Sequence, residues 1–198
     1  GLEVSFRPYF TVHRSPASSA VHPPSDGVIS PGDLIHCDVG IRYLRLNSDH
    51  QQWAYVLREG ETDAPAGARA LLRQAHRLQD LFMGAFRVGL SGNELLARIL
   101  QRARAEGLPE PRMYSHSLGY FLHEPGPLIG LPWQQERCEG RGDVRLDYRQ
   151  AFTMELSVTD VVPEWDGSRL RMSIEEDVVF TEQGCRLIGS RQECFHLV

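Results

Sequence analysis

The chain has 198 residues, 41% hydrophobic and 24% charged, which is enough for one sizeable core and predicts a single domain. Its net charge of −5 and its 21 scattered basic residues, all of them arginine, leave no basic field and argue against a nucleic-acid partner. No apolar run approaches the roughly 20 residues that cross a bilayer, so no membrane partner is expected.

The absence of lysine excludes a lysine Schiff base or a lysine general base. Cys37, Cys138, Cys185 and Cys194 form no CxxC pair, which excludes a thiolate metal site and a redox motif; scattered reduced thiols suit a cytoplasmic location. No secretory signal is visible. The chain opens on Gly1 rather than on methionine, as a processed product or a fragment would.

In chain order, residues 14–33 (RSPASSAVHPPSDGVISPGD) carry loop chemistry, because proline removes donors and restricts its neighbours. DLIHCDVG and SDHQQWAYVL then read as two strands of an antiparallel hairpin, with Asp38 and Asp49 at similar heights on neighbouring strands. From about Pro65 to Arg87, Leu71, Leu72, Ala75, Leu78, Phe82 and Phe86 repeat at helical spacing, with Asp63 as the expected cap. A second helix is marked by the capping box Ser91 and Glu94, by Leu95, Leu96, Ile99 and Leu100, and by Gly107 as its stop. MYSHSLGYFL predicts strand, turn and strand, and HEPGPLIGLP a loop. QAFTMELSVTDVV and LRMSIEEDVVF, joined around PEWDGS, predict a second hairpin. Trp133, Cys138, Trp165 and the RGD at 141–143 are read as structural or loop residues. The fold class is therefore α+β, an antiparallel sheet with helices on one face.

Five groups stand out. Asp38, Asp49, His116, Glu155 and Glu175 all sit in apolar strand contexts, where an unpaired carboxylate is costly. Each alone is more commonly a surface or satisfied structural residue. Four carboxylates brought together raise one another's pKa, a conflict that divalent cations resolve. Glu176, next to Glu175, is assigned to the opposite, solvent face by strand alternation.

PGDLIHCDVG with SDH, SHSLGYFLHEPG, FTMEL and SIEEDVVFTEQG, in that order, resemble the pita-bread metallopeptidases, the group of methionine aminopeptidases, Xaa-Pro aminopeptidases and prolidases. The resemblance runs from about Val21 to Leu187 and implies a pita-bread fold with a curved antiparallel sheet covered by helices on one face. It implies two divalent metal ions, Mn²⁺ first, with Co²⁺, Zn²⁺ or Fe²⁺ as alternatives. Asp38 would chelate one ion, Asp49 and Glu175 would bridge both, and His116 with Glu155 would complete the second. A metal-bridging hydroxide would attack the scissile carbonyl, with Glu155 as general base. His123, seven residues after His116, and His22, before the first hairpin, would contact the peptide substrate.

The sequence departs from the family pattern at three places. Ser115 and Ser117 replace glycines that flank the histidine, Leu156 replaces a proline, and the arginine common after the second aspartate is missing from DHQQW. HEPG and IEED resemble the Xaa-Pro branch, which implies cleavage ahead of proline. Residues 1–198 would then be a catalytic domain, incomplete at its N-terminus and lacking a preceding domain, in a protein that is a homodimer at full length. The alternatives are a metal-free pita-bread module that binds peptides, or a hydrolase of a small non-peptide C–N bond.

Overall fold

In the computed structural model, residues 1–20 and 27–198 are described. A small sheet joins β1 (Glu3–Val4), β4 (Ile41–Tyr43) and β5 (Leu46–Asn47). A second sheet carries the predicted first hairpin, β3 (Leu34–Val39) against β6 (His50–Tyr55), flanked by β2 (Tyr9–His13) on one side and β14 (His196–Leu197) on the other. The hairpin register sets Asp38 opposite Gln51 and Val39 opposite His50, so Asp49 lies two rungs beyond Asp38 rather than level with it. Gly40 lets the hairpin close there: a Cβ on it would stand 2.1 Å from the Ser48 carbonyl oxygen.

β3 is anchored at its start by a buried fork. The Arg14 guanidinium donates to both carboxylate oxygens of Asp33, at 2.7 and 2.6 Å, and Ser30 N–H also donates to Asp33. Such bidentate, charge-assisted pairs fix geometry as well as energy. In the described part of the predicted Pro- and Ser-rich loop, α1 (Pro16–Ser19) is a short helix capped by the Ser15 side chain.

The two predicted helices are α2 (Ala66–Ala85) and α3 (Gly92–Ala105). All six apolar positions expected along α2 and beyond its end are buried. Phe86 packs edge-on against Phe82, Phe152 and Phe180, tying the end of α2 to the sheet. Asp63 is not the cap of α2. It accepts instead from Ala64 N–H and Arg69, while the unsatisfied Gly67 N–H at the helix start donates to Glu164, far away in sequence. An acceptor from a distant turn meets the same need that a local cap would. α3 has its capping box, with Ser91 and Glu94 exchanging side-chain to backbone hydrogen bonds, and Gly107 ends it with a positive φ of 74°.

The largest sheet runs in the order β11 (Ser168–Ile174), β10 (Glu155–Val162), β7 (Arg112–Leu118), β9 (Gln150–Thr153), β12 (Asp177–Thr181), β13 (Gly184–Leu187), with β8 (Glu124–Ile129) also paired to β7. HEPGPLI, expected as loop, is largely strand β8: its prolines do not stop it because β8 is an edge with its one partner on β7. YFL, expected as strand, is the turn between β7 and β8. The second hairpin is present as β10 against β11, but each of its two runs is broken in the middle, at Met154 and at Glu175–Glu176. Past these breaks β9 pairs with β12, while β7 pairs with both β10 and β9 and shifts register against β8 between His116 and Ser117. Breaks in neighbouring strands at one level bend a sheet. The result is a curled, antiparallel half-barrel with α2 and α3 against its outer side, and the bend falls at the predicted ligands.

Candidate metal centre

The bend brings three ligand types together. One atom each of Asp49, His116 and Glu175 lies within 4.8 Å of the others, and all three residues are buried. His116 Nε2 is 3.8 Å from Asp49 Oδ2. On the other side of its ring, His116 Nδ1 meets the Ser117 carbonyl at 3.2 Å. A carbonyl only accepts, so the proton sits on Nδ1 and the Nε2 lone pair faces the carboxylates, which is the tautomer that ligates a metal. Burial first, then repulsion from His123, lowers the His116 pKa to about 4, so the ring is neutral.

Asp38 and Glu155 complete the acidic cluster next to this triad. Asp49 is raised to about 8 by burial, then by repulsion from Asp38, Asp177 and Glu155. Glu175 is raised well above the ordinary glutamate value by burial and by Asp49, Glu155 and Asp38. Burial raises Glu155 to about 7 and also raises Asp38. Asp38 Oδ1, Asp49 Oδ1 and Glu175 Oε1 are buried with no hydrogen-bond partner among the described residues. Oxygens of this kind normally find a partner. Those of Asp49 and Glu175 beside an imidazole with a free lone pair, with Asp38 close enough to repel both, suit a divalent cation with oxygen and nitrogen preference. The residues fit the expected metal.

His123 stacks beside His116, with ring centroids 4.3 Å apart. Its pKa is lowered by burial and by the nearby Arg141 guanidinium. His22 lies outside the described residues.

Several residues of the site escape a reading of the sequence. Gln51 is buried, bridges to Glu175 through backbone N–H to carbonyl at 3.1 Å, and donates from its side chain to Glu175 Oε2 at 2.9 Å. His36 Nε2 lies 3.0 Å from Gln51 Oε1. Asp177 accepts from Asp49 N–H at 3.3 Å, with His50 Nδ1 3.7 Å from the same oxygen. Glu176 is not on the solvent face: it is buried, accepts from Gln192 N–H at 3.0 Å, and lies 3.6 Å from His50 Nε2. The strand break at Glu175–Glu176 voids the alternation on which the surface assignment rested, and the segment around Gln192 covers the second carboxylate. The RGD is a 3-10 turn (Arg141–Asp143) whose Arg141 donates to the carbonyls of Glu124 and Gly126 and lies near enough to His116 and His123 to disfavour their protonation.

Residues 2–182 match the model of metallopeptidase family M24. No curated protein matches the chain. Among solved structures, the X-Pro aminopeptidase from Thermotoga maritima MSB8 is similar at 23% identity and a TM-score of 0.72, over 100% of this chain and 51% of that one. The Xaa-Pro dipeptidase from Bacillus anthracis is similar at 20% identity and a TM-score of 0.67, over 98% of this chain and 49% of that one. The methionine aminopeptidase from Thermotoga maritima is similar at 18% identity and a TM-score of 0.62, over 94% and 78%. The chain thus spans about half the length of the first two. At these identities the likeness establishes the fold. Among the described residues, no helix is long and apolar enough to cross a membrane.

Proposed function

The chain belongs to metallopeptidase family M24, and from that premise we propose that it is the catalytic domain of a dinuclear hydrolase that cleaves peptide bonds ahead of proline. One observation carries the metal count. Asp38, Asp49, Glu155 and Glu175 place four carboxylates in mutual repulsion, and two divalent ions balance four negative charges where one leaves an excess. Asp38 would hold one ion, Asp49 and Glu175 would serve both, and His116 with Glu155 would complete the second, with Asp49, His116 and Glu175 already gathered. Mn²⁺ suits this oxygen-rich set with a single imidazole, as do Co²⁺, Fe²⁺ and Zn²⁺.

Two such ions supply Lewis acidity and an activated water at neutral pH. The residues of the chain do the rest. Glu155, buried beside the cluster, would take a proton from the attacking water and return it to the leaving nitrogen. His123, next to His116, would donate to the developing oxyanion. The preference for a bond ahead of proline is supported by two of the solved structures with this fold, an X-Pro aminopeptidase and an Xaa-Pro dipeptidase, and by the HEPG and IEED segments.

The test is metal content by inductively coupled plasma mass spectrometry after reconstitution with Mn²⁺, together with turnover of Xaa-Pro peptides. Two equivalents per chain, reduced by Asp49→Ala, with release of the N-terminal residue, is the expected result. One equivalent overturns the dinuclear reading; folded, metal-loaded protein that cleaves no peptide overturns the peptidase.

A further inference from the structure

A cavity of about 310 Å³ opens next to Asp38 and Glu155, and its other walls carry chemistry that metal binding does not use. His13 and His36 stand against Trp53 on one side, with ring centroids 5.1 and 4.8 Å from the indole. The three rings together form a flat aromatic wall. Arg171 on β11 supplies the one arginine of the lining.

β11 alternates: Leu170, Met172 and Ile174 are buried in the core, so Arg171 and Ser173 face the other way, on the side of Glu175. Arg171 Nε donates to Ser157 Oγ at 2.9 Å, which orients the guanidinium. Among the described residues, its two terminal nitrogens have no hydrogen-bond partner and it forms no ion pair. A second guanidinium, Arg112, repels it, and the acid that attracts it, Glu155, is committed to metal and proton transfer in the function proposed above. A guanidinium oriented by Ser157, with no ion pair among the described residues, beside an aromatic wall is complementary to a carboxylate.

We infer that this cavity is a carboxylate subsite, in which Arg171 binds a substrate carboxylate while the His13, His36 and Trp53 rings pack its methylene stem. A glutamate side chain has that form; a C-terminal carboxylate shares the charge without the stem. The inference rests on the peptidase reading above, and its test separates the two.

Calorimetric titrations use the manganese-loaded Glu155→Gln protein, which binds without turning over. One pair of ligands is Glu-Pro-amide and Gln-Pro-amide; the other is Ala-Pro and Ala-Pro-amide. A charge-assisted, bidentate contact gives a preference of about 10- to 100-fold for the charged member. The first pair showing it identifies a side-chain carboxylate, the second a terminal one, and either supports the subsite. Adding Arg171→Gln, which keeps a donor for Ser157, removes the preference, whereas Arg171→Lys retains part of it; melting by circular dichroism verifies that both are folded. Equal binding within both pairs, or a preference that survives Arg171→Gln, overturns the inference. Turnover by the Glu155 protein is read separately. Hydrolysis of Gln-Pro-amide and Ala-Pro without any carboxylate preference leaves the peptidase standing and removes the subsite; a carboxylate preference in a protein that hydrolyses none of the four does the reverse.

Discussion

Gln51 and Glu175 are joined twice, backbone to backbone at 3.1 Å and side chain to side chain at 2.9 Å, and this double link is where the sheet of the first hairpin meets the half-barrel. The amide also holds the Glu155 carboxyl below the value that burial alone would give. Gln51→Ala removes the donor that orients Glu175 and is expected to weaken metal binding about 10- to 100-fold, the usual cost of losing a group that positions a ligand. Gln51→Glu adds a negative charge to four carboxylates and should lower the stability of the metal-free protein further than Gln51→Ala does. Competition with a chromophoric chelator and thermal melting measure the two effects.

Metal removal should make stability fall as pH rises. Asp49 at about 8, and Glu155, Glu176 and Asp177 each at about 7, hold protons that the unfolded chain releases near pH 4. Their contribution is fully present below the unfolded value and is lost as pH passes the folded one. His13 and His116, both lowered to about 4, act in the opposite sense, adding stability as pH rises to their unfolded value near 6.5 and nothing above it. Between about pH 6.5 and 8 the carboxylates therefore act unopposed, and the melting temperature of the metal-free protein should drop there. Saturating Mn²⁺, which takes the place of the Asp49 and Glu155 protons, should reduce the drop and leave the part due to Glu176 and Asp177. A flat metal-free profile over that window would contradict the proton assignment.

Glu176→Ala should destabilise the protein by about 1–3 kcal/mol, because it leaves the Gln192 N–H of a buried contact without its acceptor. Glu176→Gln keeps an acceptor and should recover part of that. Urea denaturation at pH 7.5 separates them.

Gly92→Ala should cost about 2 kcal/mol or more, since a Cβ at the start of α3 would stand 2.0 Å from the Leu128 carbonyl oxygen and force the helix off β8. Leu128 is the β8 partner of His116, so the same change should also weaken metal uptake. Gly84→Ala, on the open side of α2 with nothing near its Cβ, is the matched control and should be neutral or stabilising.

Both helices, the first hairpin and the residues of the Asp49, His116 and Glu175 group are legible in the sequence because each leaves a local mark: helical spacing, a capping box, or a polar ligand type in a strand-like run. What is not legible depends on distant partners. Glu164 replaces Asp63 at the start of α2 by reaching in from another turn. Glu176 reads as a surface residue because strand alternation holds only while the strand continues, and here it breaks at that residue. Gln51 and Arg171 carry no signal at all until the half-barrel curls. The proline-containing β8 escapes because an edge strand tolerates what an interior one does not.

No two members of the Asp49, His116 and Glu175 triad come from the same hairpin. A cation therefore finds no adequate nest in any local piece of the chain, and the contact that closes the site is long-range, of the kind that forms slowly. Metal capture reports a finished fold and does not seed one. In refolding, Mn²⁺ should leave the folding rate unchanged and slow unfolding, so that the ion acts as a latch on the native state.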